Sequence, residues 1–134
     1  MAARSLAGMA EDVTLPQYRA LVVLAARGPQ GVGPLAAALG VAPSTATRMV
    51  DRLVKKSLVR RRTSPRDRRQ VVLALTPAGR RLIEEVTERR RAEIARVVAT
   101  IPPERRDRLV ESLSAFADGA GEVPDQDWAA GWEL

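Results

Sequence analysis

The chain has 134 residues and a net charge of +6, a length that predicts one compact domain or one domain with an oligomerisation element. It contains no cysteine and no histidine, which excludes disulfides, thiol redox sensing, zinc sites and catalysis by either residue. The longest apolar run, residues 20–26, is too short to span a bilayer, and the first residues lack the pattern of a secretory signal. We therefore expect a basic, soluble, cytoplasmic protein that does not enter a membrane.

Most of the positive charge lies in a short part of the sequence. Ten lysines and arginines but only two acidic residues, Asp51 and Asp67, fall between Ser44 and Gln70. The local charge of +8 leaves −2 for the rest of the chain. Clustering of this kind predicts a surface that binds nucleic acid. The alternative interpretation is a solvated charged face without a partner.

The first part of the chain is predicted to contain several short helices. Residues 2–11 favour a small helix. Thr14 and Gln17 form a capping box that opens a second helix, which buries apolar residues and ends at Gly28. The buried positions that we expect in it are Leu21, Leu24 and Ala25. A third helix begins at residues 33–34 and ends at Gly40, a residue suited to a left-handed turn.

A fourth helix, from Pro43 to Lys56, completes a helix-turn-helix motif. One of its faces is apolar and is expected to face the core, through Ala46, Met49, Val50, Leu53 and Val54. The opposite face carries small hydroxyls near the N-terminus and arginines one and two turns later, a pattern that fits the major groove of double-stranded DNA. Arginine can bond guanine bidentately, while serine and threonine bond phosphates or base edges. The predicted DNA contacts from this helix are Ser44, Thr45, Thr47, Arg48 and Arg52.

Two extended segments, residues 58–62 and 70–75, follow the motif and predict a hairpin, or wing. The loop between them carries arginines that can reach a narrow minor groove, where the potential is most negative. The predicted contacts at the wing tip are Arg66, Asp67, Arg68 and Arg69.

Asp67 is an unexpected residue in a loop that faces phosphates. One interpretation is that its carboxylate holds the Arg69 side chain in one rotamer, which reduces the entropy lost on docking. The other is that Asp67 only stabilises the turn through its own backbone region. The sequence leaves both open.

Two amphipathic helices end the predicted fold. Thr76 and Pro77 open a long helix that reaches Ile101, and Pro103 opens a last helix that is closed by Gly119. These helices have little of the winged unit to cover, so we predict that they associate with a second copy in a twofold homodimer. The alternative is packing into one monomeric core. The predicted interface residues are Ile94, Val97, Val98, Leu109, Leu113 and Phe116.

Four segments in this order resemble the multiple-antibiotic-resistance regulator (MarR) family. They are residues 14–21 (TLPQYRAL), 35–41 (LAAALGV), 44–53 (STATRMVDRL), and 67–69 (DRR) followed by 75–79 (LTPAG). The resemblance covers roughly residues 4–118, and its most specific part is the wing signature of an aspartate, an arginine two residues later, and Leu-Thr at the start of the next helix. Each segment is weak evidence by itself, but four at the right spacing are strong evidence.

This resemblance implies a bacterial, homodimeric winged-helix transcription factor that binds a pseudo-palindrome. Such proteins are usually repressors released by a small, often aromatic, acid or by oxidation, and the lack of cysteine excludes the oxidation-sensing branch. Effectors of similar proteins bind between the winged unit and the long helices, where Tyr18 and Arg19 are candidates for a stacking ring and an anion partner. The alternative is that Tyr18 belongs to the core and Arg19 to the surface or an interface.

The expected architecture is mainly α-helical with a small β-wing, organised as a winged helix-turn-helix domain plus C-terminal dimerisation helices. We divide it into a short N-terminal helix at residues 1–13, the DNA-binding domain at 14–76, the dimerisation helices at 77–120, and a tail at 121–134. The family usually has a longer N-terminal helix in its dimer interface, so residues 1–13 are expected to be a truncated version of it. The tail holds Trp128 and Trp132 and is expected to dock on the dimer, because two exposed indoles are unfavourable; the alternative is a mobile end.

These patterns together predict a sequence-specific DNA-binding regulator, a repressor that binds its operator as a homodimer. The alternative is a winged-helix module for protein association or nonspecific chromatin binding. We predict no enzyme, cofactor or metal site, because the sequence shows no glycine-rich phosphate loop, nucleophile elbow or paired carboxylate site. Three glutamates among arginines on the long helix are expected to form surface ion pairs: Glu84, Glu85 and Glu88.

Overall fold

The computed structural model of the protein describes residues 13–121. The N-terminal helix predicted at residues 2–11 and the tail with Trp128 and Trp132 lie outside this range. The described chain is mainly helical with one two-stranded antiparallel sheet. Its elements in order are α1 (Leu15–Arg27), α2 (Val32–Leu39), α3 (Pro43–Lys55), β1 (Val59–Thr63), β2 (Val71–Leu75), α4 (Pro77–Ala99) and α5 (Pro103–Ala120).

The capping box predicted at the start of α1 is present. The Thr14 hydroxyl accepts from the Gln17 amide at 3.4 Å, and the Gln17 side-chain oxygen accepts from the Thr14 amide at 3.3 Å. Gly28 ends the helix at a positive φ of 75°. The three apolar residues predicted to be buried in this helix are in the core, as are Tyr18 and Ala20.

Gly40 makes the turn between α2 and α3 with a left-handed backbone (φ 66°, ψ 35°). Its amide donates to the Ala37 carbonyl and the Val41 amide donates to the Ala36 carbonyl, the paired bonds of a Schellman motif. The predicted function of Gly40 as the end of the helix is therefore confirmed. The helix itself begins at Val32, slightly before the predicted start.

The wing consists of β1 and β2, paired from Val59 opposite Leu75 to Thr63 opposite Val71. Gln30, in the connection between α1 and α2, adds a short rung by exchanging two backbone hydrogen bonds with Leu73 at 3.2 and 2.8 Å. Since alternate residues of a strand face opposite sides, one face of the wing buries Val59, Leu73 and Leu75 against the helices. Both strands begin one residue later than the sequence predicts.

The first turns of α4 belong to the core of the winged unit. The Thr76 hydroxyl accepts from the Gly79 amide at 3.1 Å and caps the helix as predicted. A Cβ on Gly79 would lie 2.3 Å from the Leu58 carbonyl oxygen, so only glycine permits this approach to the wing. Three residues of α4 then complete the core: Leu82, Ile83 and Val86. The hydrophobic core therefore extends past the boundary at residue 76 that the sequence suggested.

No residue between Thr87 and Gly121 is buried. The long helix ends at Ala99, two residues before the predicted Ile101. Gly119 does not close the last helix, because α5 continues to Ala120 and Gly121 takes the left-handed conformation (φ 69°) that ends it.

Arg106 fastens the elbow between α4 and α5. Its Nε donates to the Ile101 carbonyl at 2.8 Å and its Nη2 to the Ala99 carbonyl at 3.3 Å. Ala99 is the last residue of α4 and Ile101 lies two residues beyond it, where the helix itself supplies no donors. One side chain of α5 thus satisfies two carbonyls at the end of the preceding helix.

Candidate nucleic-acid interface

The core-facing side of α3 fixes the helix in place, because Ala46, Val50 and Leu53 are fully buried. Their spacing of four and three residues places them on one stripe, with Met49 partly buried at its edge, while the polar residues between them are exposed. The predicted DNA contacts of this helix are all exposed: Ser44, Thr45, Thr47, Arg48 and Arg52. The structure therefore presents the small hydroxyls and the arginines together on the outer face of a rigid helix.

Four of these side chains are available for intermolecular hydrogen bonds. Within residues 13–121, the side chains of Ser44, Thr45, Arg48 and Arg52 have no hydrogen-bond partner in the protein. Thr47 differs, because its hydroxyl donates to the Pro43 carbonyl at 2.9 Å. Its oxygen can still accept from a base amino group but has no proton left for a phosphate, which only accepts.

A cleft of about 340 Å³ lies between the first turn of α1 and the outer face of α3. It is lined by Thr14, Pro16, Gln17, Thr45, Arg48, Met49 and Arg52. The ammonium of Lys56 donates to the Gln17 side-chain oxygen at 3.2 Å and ties the two helices together below it. Two guanidinium groups along this cleft suit a phosphate of the DNA backbone. Sequence reasoning missed the cleft, since a contact between residues 39 positions apart leaves no local pattern.

The tip of the wing exposes Arg66, Arg68 and Arg69, as the sequence predicts. The Asp67 carboxylate accepts from the Arg69 backbone amide at 2.9 Å, and no ion pair joins it to the Arg69 guanidinium in the described chain. Of the two interpretations, the structure shows the turn-stabilising one. A short aspartate side chain reaches the amide two residues ahead without fixing any long side chain, which is the geometry of an Asx turn.

Asp51, the other acidic residue of the cationic segment, pairs with Arg61 of β1. Asp51 is exposed on α3 and was not among the predicted DNA contacts. The ion pair joins the helix that carries the predicted DNA contacts to the strand that leads into the wing tip. No local sequence pattern predicts this ion pair, because it depends on how the wing packs against α3.

Tyr18 and Arg19 are not brought together as a ligand site. Tyr18 is 6% exposed and belongs to the core, whereas Arg19 is exposed. Burial raises the pKa of the Tyr18 hydroxyl above its usual range, while the charge of Arg90 and a hydrogen bond from Thr87 lower it. The effector site at these two residues remains a prediction, and the structure favours the core interpretation of Tyr18.

The predicted dimer residues lie in the part of the described chain without buried residues, at the end of α4 and on α5. Four of them are exposed to solvent, at 43% for Ile94, 50% for Val97, 57% for Leu113 and 76% for Phe116. Val98 and Leu109 are half-buried. Val110, which was not among the predicted interface residues, is 62% exposed and lies three residues from Leu113 on the same stripe of α5.

The described residues contain no cluster of three or more acidic side chains that could hold a metal ion. Nor does any helix in this part of the chain have the length and apolar character needed to cross a membrane. The surface exposes hydroxyl and guanidinium groups, which are the side-chain groups that bind the phosphates and base edges of DNA. A helix-turn-helix whose second helix is fixed from behind, with a basic hairpin beside it, defines a winged-helix DNA-binding protein.

Comparison with known proteins agrees with this class. The sequence profile of the MarR family matches residues 13–71. The crystal structure of RV1404 from Mycobacterium tuberculosis is 45% identical with a TM-score of 0.85, over 92% of this chain and 84% of that one. The transcriptional repressor MdtR of Bacillus subtilis is 33% identical over 82% of this chain and 71% of its own length. YfiV, an uncharacterised transcriptional regulator of the same bacterium, is 31% identical over 79% of this chain.

The chain belongs to the MarR family of DNA-binding transcriptional regulators. Its relatives are regulators and not enzymes, and this protein is likewise not an enzyme. The match with YfiV spans 66% of the length of that relative.

Proposed function

We propose that the protein is a cytoplasmic repressor of transcription that binds a pseudo-palindromic operator as a homodimer. In this proposal α3 contacts base edges in the major groove and the arginines of the wing tip contact the adjacent minor groove. The observation that supports it most is the outer face of α3, where Ser44, Thr45, Arg48 and Arg52 are exposed and unbonded within the described chain. The name of MdtR as a repressor supports the direction of regulation.

The homodimer is supported by the apolar side chains of α4 and α5 that are exposed in the single chain. The 18 residues of α5 include no buried position, and apolar side chains are exposed both on α5 and at the end of α4. A second copy related by a twofold axis would cover both surfaces at once, because such an interface is self-complementary. The same axis would present two copies of α3 to one side of the duplex, with half-site centres about 10 base pairs apart.

A small-molecule effector of the aromatic acid class is a further part of the proposal. An exposed guanidinium at Arg19 offers an anion partner at the surface of α1. A ligand of this kind would act by binding two conformations of the dimer with different affinity.

The proposal is tested by selecting duplexes from a random DNA pool with the full-length protein and measuring binding to the preferred sequence. Arg48→Ala is expected to lose about 1–3 kcal/mol on that duplex and to relax the preference at one base in each half-site. Affinity for a scrambled duplex of equal length should change much less. An equal loss on both duplexes would reduce Arg48 to a phosphate contact and would favour nonspecific binding.

Arg27→Ala is a matched control, because it removes the same charge from the opposite end of α1. The first turn of this helix lies beside α3, and Arg27 is its last residue, about 18 Å further along the helix axis. We expect the Arg27 variant to bind both duplexes as the unaltered protein does, apart from a small electrostatic change.

A further inference from the structure

The acidic residue of α3, Asp51, lies on the outer face of the helix together with Arg48, Arg52 and Lys55. A carboxylate in this position repels the phosphates of DNA. Charge alone therefore predicts that its removal strengthens binding to any duplex. The structure gives a reason to expect the opposite result for the preferred sequence.

The wing is attached to the helices at several points. Its inner face is buried in the core, Gln30 exchanges two backbone hydrogen bonds with Leu73, and a backbone bond of 3.0 Å closes the connection from α3. The ion pair between Asp51 and Arg61 adds a side-chain link from the outer face of α3 to the middle of β1. This link acts on the angle between the wing and that outer face, to which the core contacts do not extend.

Arg61 is also the arginine of β1 that is directed toward α3. Alternation along the strand places it on the same face as Val59, which is buried against the helices, while Arg60 and Arg62 lie on the other face. Its partner in the register is the buried Leu73. Arg61 is thus occupied by the protein and is withdrawn from the cations that can contact phosphate.

We propose that Asp51 is a positioning residue that, through Arg61, holds the wing at the angle at which α3 and the wing tip bind DNA together. The inference rests on the proposed function of these two elements. Although Asp51 lowers the local positive charge, it favours specific binding, because both elements must meet their grooves at the same time. Its removal should therefore affect specific and nonspecific DNA in opposite directions.

The test measures binding of full-length Asp51→Ala to the selected duplex and to a scrambled duplex of the same length and composition. We expect about fivefold weaker binding to the selected duplex, the upper range for an exposed ion pair. Binding to the scrambled duplex should stay equal or become tighter, since a repulsive charge is lost. Alanine favours the helix more than aspartate does, and a thermal melt confirms that the variant folds.

A double-mutant cycle with Arg61→Ala isolates the pair. The double variant should bind the selected duplex about as weakly as either single variant, because each one already removes the same attachment. Arg60→Ala is the matched control, since it removes an equal charge from the other face of the strand. It should not be coupled to Asp51→Ala, and the conservative Asp51→Glu should recover most of the lost affinity.

Tighter binding of Asp51→Ala to the selected duplex, or additive effects in the cycle, would overturn the positioning function. Arg48→Ala is measured in the same assay to separate this outcome from a failure of the proposed function. If Arg48→Ala still loses discrimination while Asp51→Ala binds more tightly, base reading by α3 stands and only the positioning function is wrong.

Discussion

The two regions of the described chain differ in how much of themselves they bury. From α1 to the first turns of α4, the largest side chains that are less than 2% exposed are those of Leu21, Leu35, Leu53, Leu73, Val50, Val59 and Val86. From Thr87 to Gly121 no side chain is buried, and Phe116 is 76% exposed. Because hydrophobic stabilisation scales with the apolar area removed from water, the first region holds the stability of a single chain.

The second region shows that regular secondary structure does not require a hydrophobic core within the same chain. Most of the stability of a protein helix comes from packing of its amphipathic face, and α5 has no buried residue within the described chain. Its apolar surface therefore makes sense as half of an interface. The winged region is complete in one copy, whereas the helical region is completed by the proposed partner.

The largest effect on DNA binding is expected from a charge placed in the proposed dimer interface of the second region. Leu113→Asp should convert the dimer into monomers in sedimentation experiments and abolish specific DNA binding, since an unpaired carboxylate in an apolar interface costs several kcal/mol. Ser112→Asp is the control, because it adds the same charge at an exposed position about 100° around the helix. An unaltered protein that sediments as a monomer at micromolar concentration would contradict the dimer.

A substitution in the core of the first region should change the free energy of unfolding and not the oligomeric state. Leu21→Ala removes a fully buried side chain, and we expect it to lower the free energy of unfolding by about 2–5 kcal/mol in chemical denaturation. Leu15→Ala, six residues earlier at a position that is 48% exposed, should change it by less than about 0.5 kcal/mol. Equal effects of the two variants would mean that the comparison of buried and unburied regions is wrong.

The wing tip is exposed from residue 65 to residue 70, so its conformation depends on local hydrogen bonds and not on a core. Asp67→Ala removes the bond to the Arg69 amide and should weaken DNA binding by about 0.5–1.5 kcal/mol. Asp67→Asn keeps an acceptor oxygen for that amide, so its affinity should equal or exceed that of the unaltered protein. Weak binding by the asparagine variant would instead favour the ion-pair interpretation.

The smallest effect is expected at the connection between α3 and β1. Ser57 has a φ of 58°, a conformation that costs a residue with a Cβ about 1 kcal/mol or more. Ser57→Gly should therefore raise the melting temperature and stabilise the fold by about 0.5–1 kcal/mol, after the added freedom of the unfolded chain is included. Gly40→Ala, at the same kind of backbone conformation (φ 66°), should have the opposite sign.

Local patterns in the sequence were sufficient to predict the positions that single helices and turns determine. The capping box at Thr14 and Gln17, the left-handed turn at Gly40 and the buried face of α3 all depend on residues within one or two turns of each other. The predicted winged helix-turn-helix and its exposed α3 residues followed from these.

The remaining features depend on tertiary packing. The cleft between α1 and α3 and the Asp51–Arg61 ion pair join residues whose proximity only the folded chain determines. The Asp67 carboxylate had two possible partners in Arg69. It accepts a hydrogen bond from the Arg69 backbone amide and forms no ion pair with the guanidinium of that residue. The end of α5 was predicted too early because a glycine is tolerated within a helix at a modest cost, so Gly119 alone could not stop it.

The elbow that Arg106 fastens acts as a lever in the proposed dimer. With 18 residues, α5 extends about 27 Å from the elbow, so a rotation of about 10° there moves its far end by about 5 Å. Adjacent base pairs of DNA are about 3.4 Å apart along the helix axis. Two hydrogen bonds from one arginine to the elbow therefore oppose a rotation that, at about 10°, would move the end of α5 by more than one base-pair step.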